Sequence, residues 1–193
     1  MAIRHRDRTL DMSESAISAL LGKNLSSQYG GGKAADAAIL DRYLEGMDLS
    51  ALSPLSWEEL ELEITLEVVK EAVGKLNRWM MPGGAGFPVV FYQAYVAQLA
   101  EPLLTVFRED QRGGGLPPTL REKKICIIPK PGGDGTSPPS YGPLTMLNVD
   151  MKVLCKILAE RLKSFVATLV HEDKYRFIPG RSTALNLQRL LLM

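Results

Sequence analysis

The chain has 193 residues, 46% of them hydrophobic and 23% charged, with a formal net charge of +1. Such a balance supports a core and argues against a disordered chain. No apolar run approaches the roughly 20 residues of a membrane span, and the N-terminal MAIRHRDRTLDM has no secretory apolar core, so the sequence reads as an intracellular protein with no membrane partner, nucleus or cytoplasm unresolved.

Residues 1–35 show no persistent period and are read as a poorly defined N-terminal segment. Residues 36–120 are read as a helical region. A short helix is expected over 34–44, and ITLEVVKEAVGKLNRW carries the pattern of an amphipathic one. Thr65 stands at its N-cap, Glu67 in its first turn, Val68, Val69, Ala72, Val73 and Leu76 on one stripe, and Lys75 and Arg78 near its end. MPGGAGFP breaks the chain, Pro88 opens a helix through VVFYQAYVAQLA, and Pro102 marks a restart through LLTVFREDQ.

Residues 121–193 form the third segment. LREKKICIIP predicts a strand ending at Pro129, and PLTMLN a second strand after a Gly/Pro/Ser loop. Asn148 or Asp150 can cap the helix VDMKVLCKILAERLKSFVATLV, whose inward stripe runs through Val153, Leu154, Ile157, Leu158, Leu162, Phe165 and Leu169. HEDKYRFIPGR is a loop in which Phe177 and Ile178 pack and Pro179-Gly180 turn the chain. From Ser182 a last helix sets Ala184, Leu187, Leu190 and Leu191 inward and stops at Met193 within that stripe, as expected of a chain cut short of a partner surface.

The even net charge hides an asymmetry. Residues 121–193 hold 12 Lys/Arg against 6 Asp/Glu, while residues 1–120 hold 11 against 16. A basic C-terminal third suits a polyanion, although on charge alone such lysines more often solvate helix faces. Cys126 and Cys155 are isolated in apolar segments and only His5 and His171 accompany them, which fits buried free thiols better than a metal site.

Taken in order, ITLEVVKEAVGKLN, PGGAGFPVVFYQAY, LPPTLREKKICIIPKPGGDGTSPPSYGPLTMLNVDMKVLCKILAERLK and FIPGRSTALNLQRLL resemble the reverse transcriptase of LINE-type (non-LTR) retrotransposons from about Asp36 to Met193. The resemblance implies a helix-rich α+β fragment: the incomplete fingers part of a right-hand polymerase fold, with a small antiparallel strand pair, preceding the palm. It implies that Lys130, held between Pro129 and Pro131, faces the triphosphate of an incoming nucleotide. A compact ammonium with few conformations to lose suits a phosphate. Arg181 and Lys124 are assigned to the template, and Tyr141 to packing beside the nucleotide loop.

The sequence also departs from the family pattern. Gly142 stands where the family has an arginine beside the triphosphate, Gly84-Ala85 where a loop carboxylate is usual, and Arg176 where a glycine is common, a substitution at risk if that position needs positive φ. The palm aspartates that bind two catalytic metals do not occur in these residues. No catalytic residue, metal ligand or cofactor is therefore expected in this chain, magnesium belonging only to the complete enzyme, and the chain alone is expected not to polymerise DNA. Three readings stay open: a fingers fragment with residual binding of template–primer or nucleotide phosphate, its partner RNA or an RNA–DNA hybrid; a protein-interaction fragment docking on the missing palm or another chain through the last helix; and a relic reading frame with no selected activity.

Overall fold

A computed structural model of the chain describes residues 3–4, 10–11, 13–30, 37–45, 52–171, 174–178, 180–182 and 184. Two compact units interleave along the sequence, residues 1–45 with 123–146 and residues 46–122 with 147–193. This division cuts across the expected segments 1–35, 36–120 and 121–193.

In the first unit, β1 (Ile3–Arg4) pairs antiparallel with β2 (Leu10–Asp11). The segment expected to be poorly defined contains α1 (Glu14–Tyr29), a helix of 16 residues. Ser13 caps it, its hydroxyl oxygen accepting from the Ala16 N–H at 3.4 Å, and Glu14 complements the positive end of the helix dipole. Only Leu21 is buried, so no apolar stripe betrayed this helix in the sequence. The helix expected over 34–44 appears as α2 (Ala37–Glu45).

The same unit holds β3 (Lys123–Pro129) and most of β4 (Tyr141–Leu147), which pair in a two-stranded sheet. Just past β3, the Lys130 N–H donates to the carbonyl of Ser140, just before β4, at 2.8 Å. The end of one strand therefore lies beside the start of the other, and the pair is antiparallel.

The second unit is helical. In α3 (Pro54–Glu61), Pro54 occupies the first turn, where its missing N–H costs nothing, and Ser53 accepts from the Ser56 N–H at 3.2 Å. Helix α4 (Leu66–Gly74) is capped as its sequence predicts, by Thr65 accepting from the Val68 N–H at 3.4 Å. It ends at Gly74 instead of running to Trp79. Gln93, far along the chain, donates through Nε2 to the carbonyls of Val73 and Leu76 at 3.2 and 3.0 Å, satisfying acceptors that a longer helix would have bonded itself.

Pro88 is the N-cap of α5 (Val89–Ala94), and α6 spans Val96–Gln111. The expected restart at Pro102 does not occur: the helix passes through it, and the break falls at Tyr95. Pro102 and Gln98 are both exposed, so the carbonyl that proline leaves unpaired belongs to the solvent side of the helix.

A short α7 (Pro118–Arg121) and α8 (Val149–Lys163) follow. The long final stripe is interrupted: Ser164 and Phe165 separate α8 from α9 (Val166–Leu169), and Leu158, Leu162 and Leu169 are exposed instead of inward. The buried face of α8 is narrower, comprising Val149, Val153, Leu154 and Ile157, and it packs with Val69 and Val73 of α4 and Phe107 of α6. The last helix expected from Ser182, with Leu187, Leu190 and Leu191, lies outside the described residues except at 182 and 184.

The C-terminal end of α6 clamps the segment before α4. Arg108 Nε donates to the Ile64 carbonyl at 2.9 Å, Gln111 Oε1 accepts from the Ile64 N–H at 3.1 Å, and Arg112 pairs with Glu63 at 2.8 Å. Ile64, fully buried, is thereby held at the edge of the core with both backbone groups satisfied.

Candidate functional site

The hairpin loop of residues 130–140 is closed by polar contacts. Lys130 takes part through backbone and side chain: its N–H bonds Ser140, and its Nζ donates to the Pro139 carbonyl at 2.9 Å. Asp134 Oδ1 accepts from both the N–H and the hydroxyl of Thr136, at 2.9 and 2.7 Å, forming an Asx turn. Gly132 sits at φ 73°, a conformation that a side chain would strain. Tyr141, half-buried at the start of β4, reaches across to donate its hydroxyl to the Gly135 carbonyl at 2.7 Å. The Lys130 ammonium remains exposed at the loop mouth with two further N–H donors. Lys124 is exposed on β3. Lys124, Lys130 and Tyr141 thus share one hairpin, while Arg181 belongs to the helical unit.

In that unit the PGGAGFP loop is fastened to the start of α8. Asn148 is the N-cap by position, yet its side chain does not bond the first turn of α8. Its Oδ1 accepts from the Ala85 N–H at 3.0 Å and its Nδ2 donates to the Thr119 carbonyl at 3.2 Å, leaving a buried amide satisfied on both sides. A Cβ on Gly83 would lie 2.4 Å from that Oδ1 and 2.5 Å from the Asn148 nitrogen, so only glycine fits. Lys152 Nζ donates to the Met81 carbonyl, and burial pulls its ammonium below the usual lysine range. The Tyr92 hydroxyl donates to Asp150 at 2.7 Å; burial first, then that bond, raises its pKa well above that of an ordinary phenol. Asp150, expected as a cap, therefore ties α5 to α8.

Arg181 occupies a cage of carbonyls. Its Nη1 donates to His171 and Lys174 at 2.7 and 2.9 Å, and its Nη2 to Ala167 and Val170 at 2.8 and 3.0 Å. The arginine that the resemblance assigns to the template is folded back onto the end of α9 and the loop after it. Beside it, Ile178 is buried as expected, but Phe177 is 91% exposed. The expected risk at Arg176 also falls elsewhere: positive φ belongs to Phe177, at 65°, and not to Arg176. The Arg176 guanidinium carbon stands 5.8 Å from the Phe177 ring centroid, within cation–π reach. The sequence reading missed Arg176 and Phe177 as a pair, and also Asn148 and Lys152 as ties. The one available signal was an Arg-Phe pair beside a Pro-Gly turn.

A groove of about 230 Å³ lies along α4 and α8, floored by Val68, Ala72 and Ile157. Its charged rim is paired within each helix, Lys75 with Glu71 and Lys156 with Glu160, both at 2.7 Å. Cys126 and Cys155 are free and half-buried rather than fully buried. Among the described residues, no three His, Cys, Asp or Glu side chains gather as a metal site, and no helix is long and apolar enough to cross a membrane.

Over 134 residues the chain is 30% identical to an uncharacterized 149 kDa protein of transposon TX1 from Xenopus laevis. The chain is similar to a transposon protein. The match covers 69% of the chain but only 10% of that relative, so the chain corresponds to a small part of the protein it matches. No protein-family model matches it.

Proposed function

We propose that the chain is part of a retrotransposon reverse transcriptase, corresponding to its fingers and the segment leading into them, and that its hairpin holds nucleic-acid or nucleotide phosphate. The observation that carries this reading is Lys130 at the mouth of a closed loop. The loop's turns are bonded internally and the ammonium is exposed, while a second exposed lysine, Lys124, lies near the other end of the same strand. A prearranged cation loses little freedom when it meets an anion. The order of the sequence motifs supplies the polymerase context, and the similarity to a transposon protein agrees with a retrotransposon origin. On this reading the chain alone binds without polymerising, and the divalent metals of catalysis belong with the palm.

The test is fluorescence anisotropy with a labelled RNA–DNA primer–template across a salt series. Binding should weaken steeply with salt, because phosphate contacts release counterions. A Lys124→Ala/Lys130→Ala double variant should bind more weakly and lose about two from the slope of log affinity against log salt. Absence of binding by a cooperatively folded wild-type chain would overturn the reading. A second reading, a protein-interaction fragment, is favoured by Trp79, Met81 and Phe87, which are 91%, 67% and 50% exposed in the helical unit. It expects association that salt leaves unchanged.

A further inference from the structure

We infer that Arg176 and Phe177 form a stacking contact for a single-stranded nucleic-acid segment, and that Arg181 is the positioning residue that holds their loop in shape. The inference rests on the nucleic-acid reading above and assigns it a second surface, in the helical unit.

Three observations converge. First, Arg181 has four of its five N–H donors on carbonyls of Ala167, Val170, His171 and Lys174, so its capacity is spent on the chain itself. Those bonds join the end of α9 to the loop that carries Arg176. Second, Phe177 is an outlier in two respects. A bulky residue at φ 65° is uncommon and strained, and its ring is 91% exposed although an aromatic residue gains most by burial. Backbone strain that the surroundings maintain around a solvent-facing aromatic points to use of the ring. Third, the exposed Arg176 guanidinium lies beside that ring, with no hydrogen bond or ion pair to the side chain among the described residues.

The chemistry of this pair fits a nucleotide in an unpaired strand. The open face of Phe177 can take a base by stacking, a contact independent of sequence, while the Arg176 guanidinium is suited to the adjoining phosphate. Double-stranded nucleic acid, whose bases are already stacked, offers the ring nothing comparable.

The test compares two labelled probes: a single-stranded RNA and the same backbone carrying abasic nucleotides. The wild-type chain should bind the abasic strand more weakly. Phe177→Gly, which relieves the backbone while removing the ring, should bind intact RNA about 5- to 150-fold more weakly, the size of one lost base stack. It should no longer distinguish the probes. Arg176→Ala should reduce the salt slope by about one. Both variants should unfold at the wild-type temperature or above. Arg181→Lys, with three donors on a flexible stem, should raise amide exchange over residues 167–181 as well as weaken binding. If wild-type protein binds RNA and both Phe177→Gly and Arg176→Ala bind equally well, this inference is wrong and the hairpin reading survives. If the wild-type chain binds neither RNA nor primer–template, both fall.

Discussion

The hairpin and the helical unit are held together by different physics. In the helical unit Ile64, Val69, Val89, Phe107 and Val153 have no measurable exposure, and polar ties such as Asn148 are buried with them. In the hairpin, Ile125, Ile128 and Leu144 are exposed, and the loop owes its shape to hydrogen bonds at the surface. Burial of apolar area is the stronger and less local source of stability, whereas an exposed hydrogen bond nets little against water. A binding loop built by the second means can be precise in its resting shape and still open at small cost, as ligand-binding elements often do.

The sharpest way to break this contrast is Phe107→Ala. The ring is fully buried among α4, α6 and α8, so its loss should cost about 3–5 kcal/mol, read by urea denaturation followed by circular dichroism. A loss below about 1 kcal/mol would mean that the helical unit is not the dominant store of stability.

A smaller effect should follow from Tyr92→Phe, which removes the bond to Asp150 and is expected to cost about 1.5 kcal/mol at neutral pH. The folded chain holds the Tyr92 proton more tightly than the ordinary phenol value of 10.0. Its contribution is therefore intact below about pH 10 and lost as pH rises beyond it, because the unfolded chain releases that proton first. Unfolding curves between pH 9 and 11 should show wild-type stability falling with pH and the variant nearly flat in that window. Parallel slopes would remove Tyr92 from the account.

The smallest expected effect tests the hairpin. Tyr141→Phe deletes the bond to Gly135, and global stability should drop by no more than about 0.5–1 kcal/mol. Amide exchange in residues 130–141 should nevertheless rise clearly. Unchanged exchange would show that the loop is shaped by something other than its surface bonds.

How much of this was visible in the sequence depended on how local the cause was. Thr65 as a cap, the buried stripe of Val69, Ala72 and Val73, and the two strands all follow from near neighbours in the chain, and all were readable. Helix α1 was not, because its apolar residues share no face. Pro102 misled because the rule against proline within a helix weakens where the freed carbonyl faces water, and Tyr95 carries no breaking signal of its own. At the sites, the Lys130 loop was legible as a lysine between prolines. The turning-back of Arg181 depended on four carbonyls gathering from residues 167–174, and Asn148 was diverted from capping by Ala85 and Thr119. Those partners meet only in the folded chain.

The two tryptophans of the chain have an optical consequence. Trp57 is 54% exposed and Trp79 is 91% exposed, so both indoles already meet water in the native state. Unfolding should scarcely shift their emission, and a melting curve followed by tryptophan fluorescence would look almost flat while the helices were being lost. The same exposure makes Trp79 a built-in reporter of contact: a macromolecule that covers it should move its emission to the blue without any added dye.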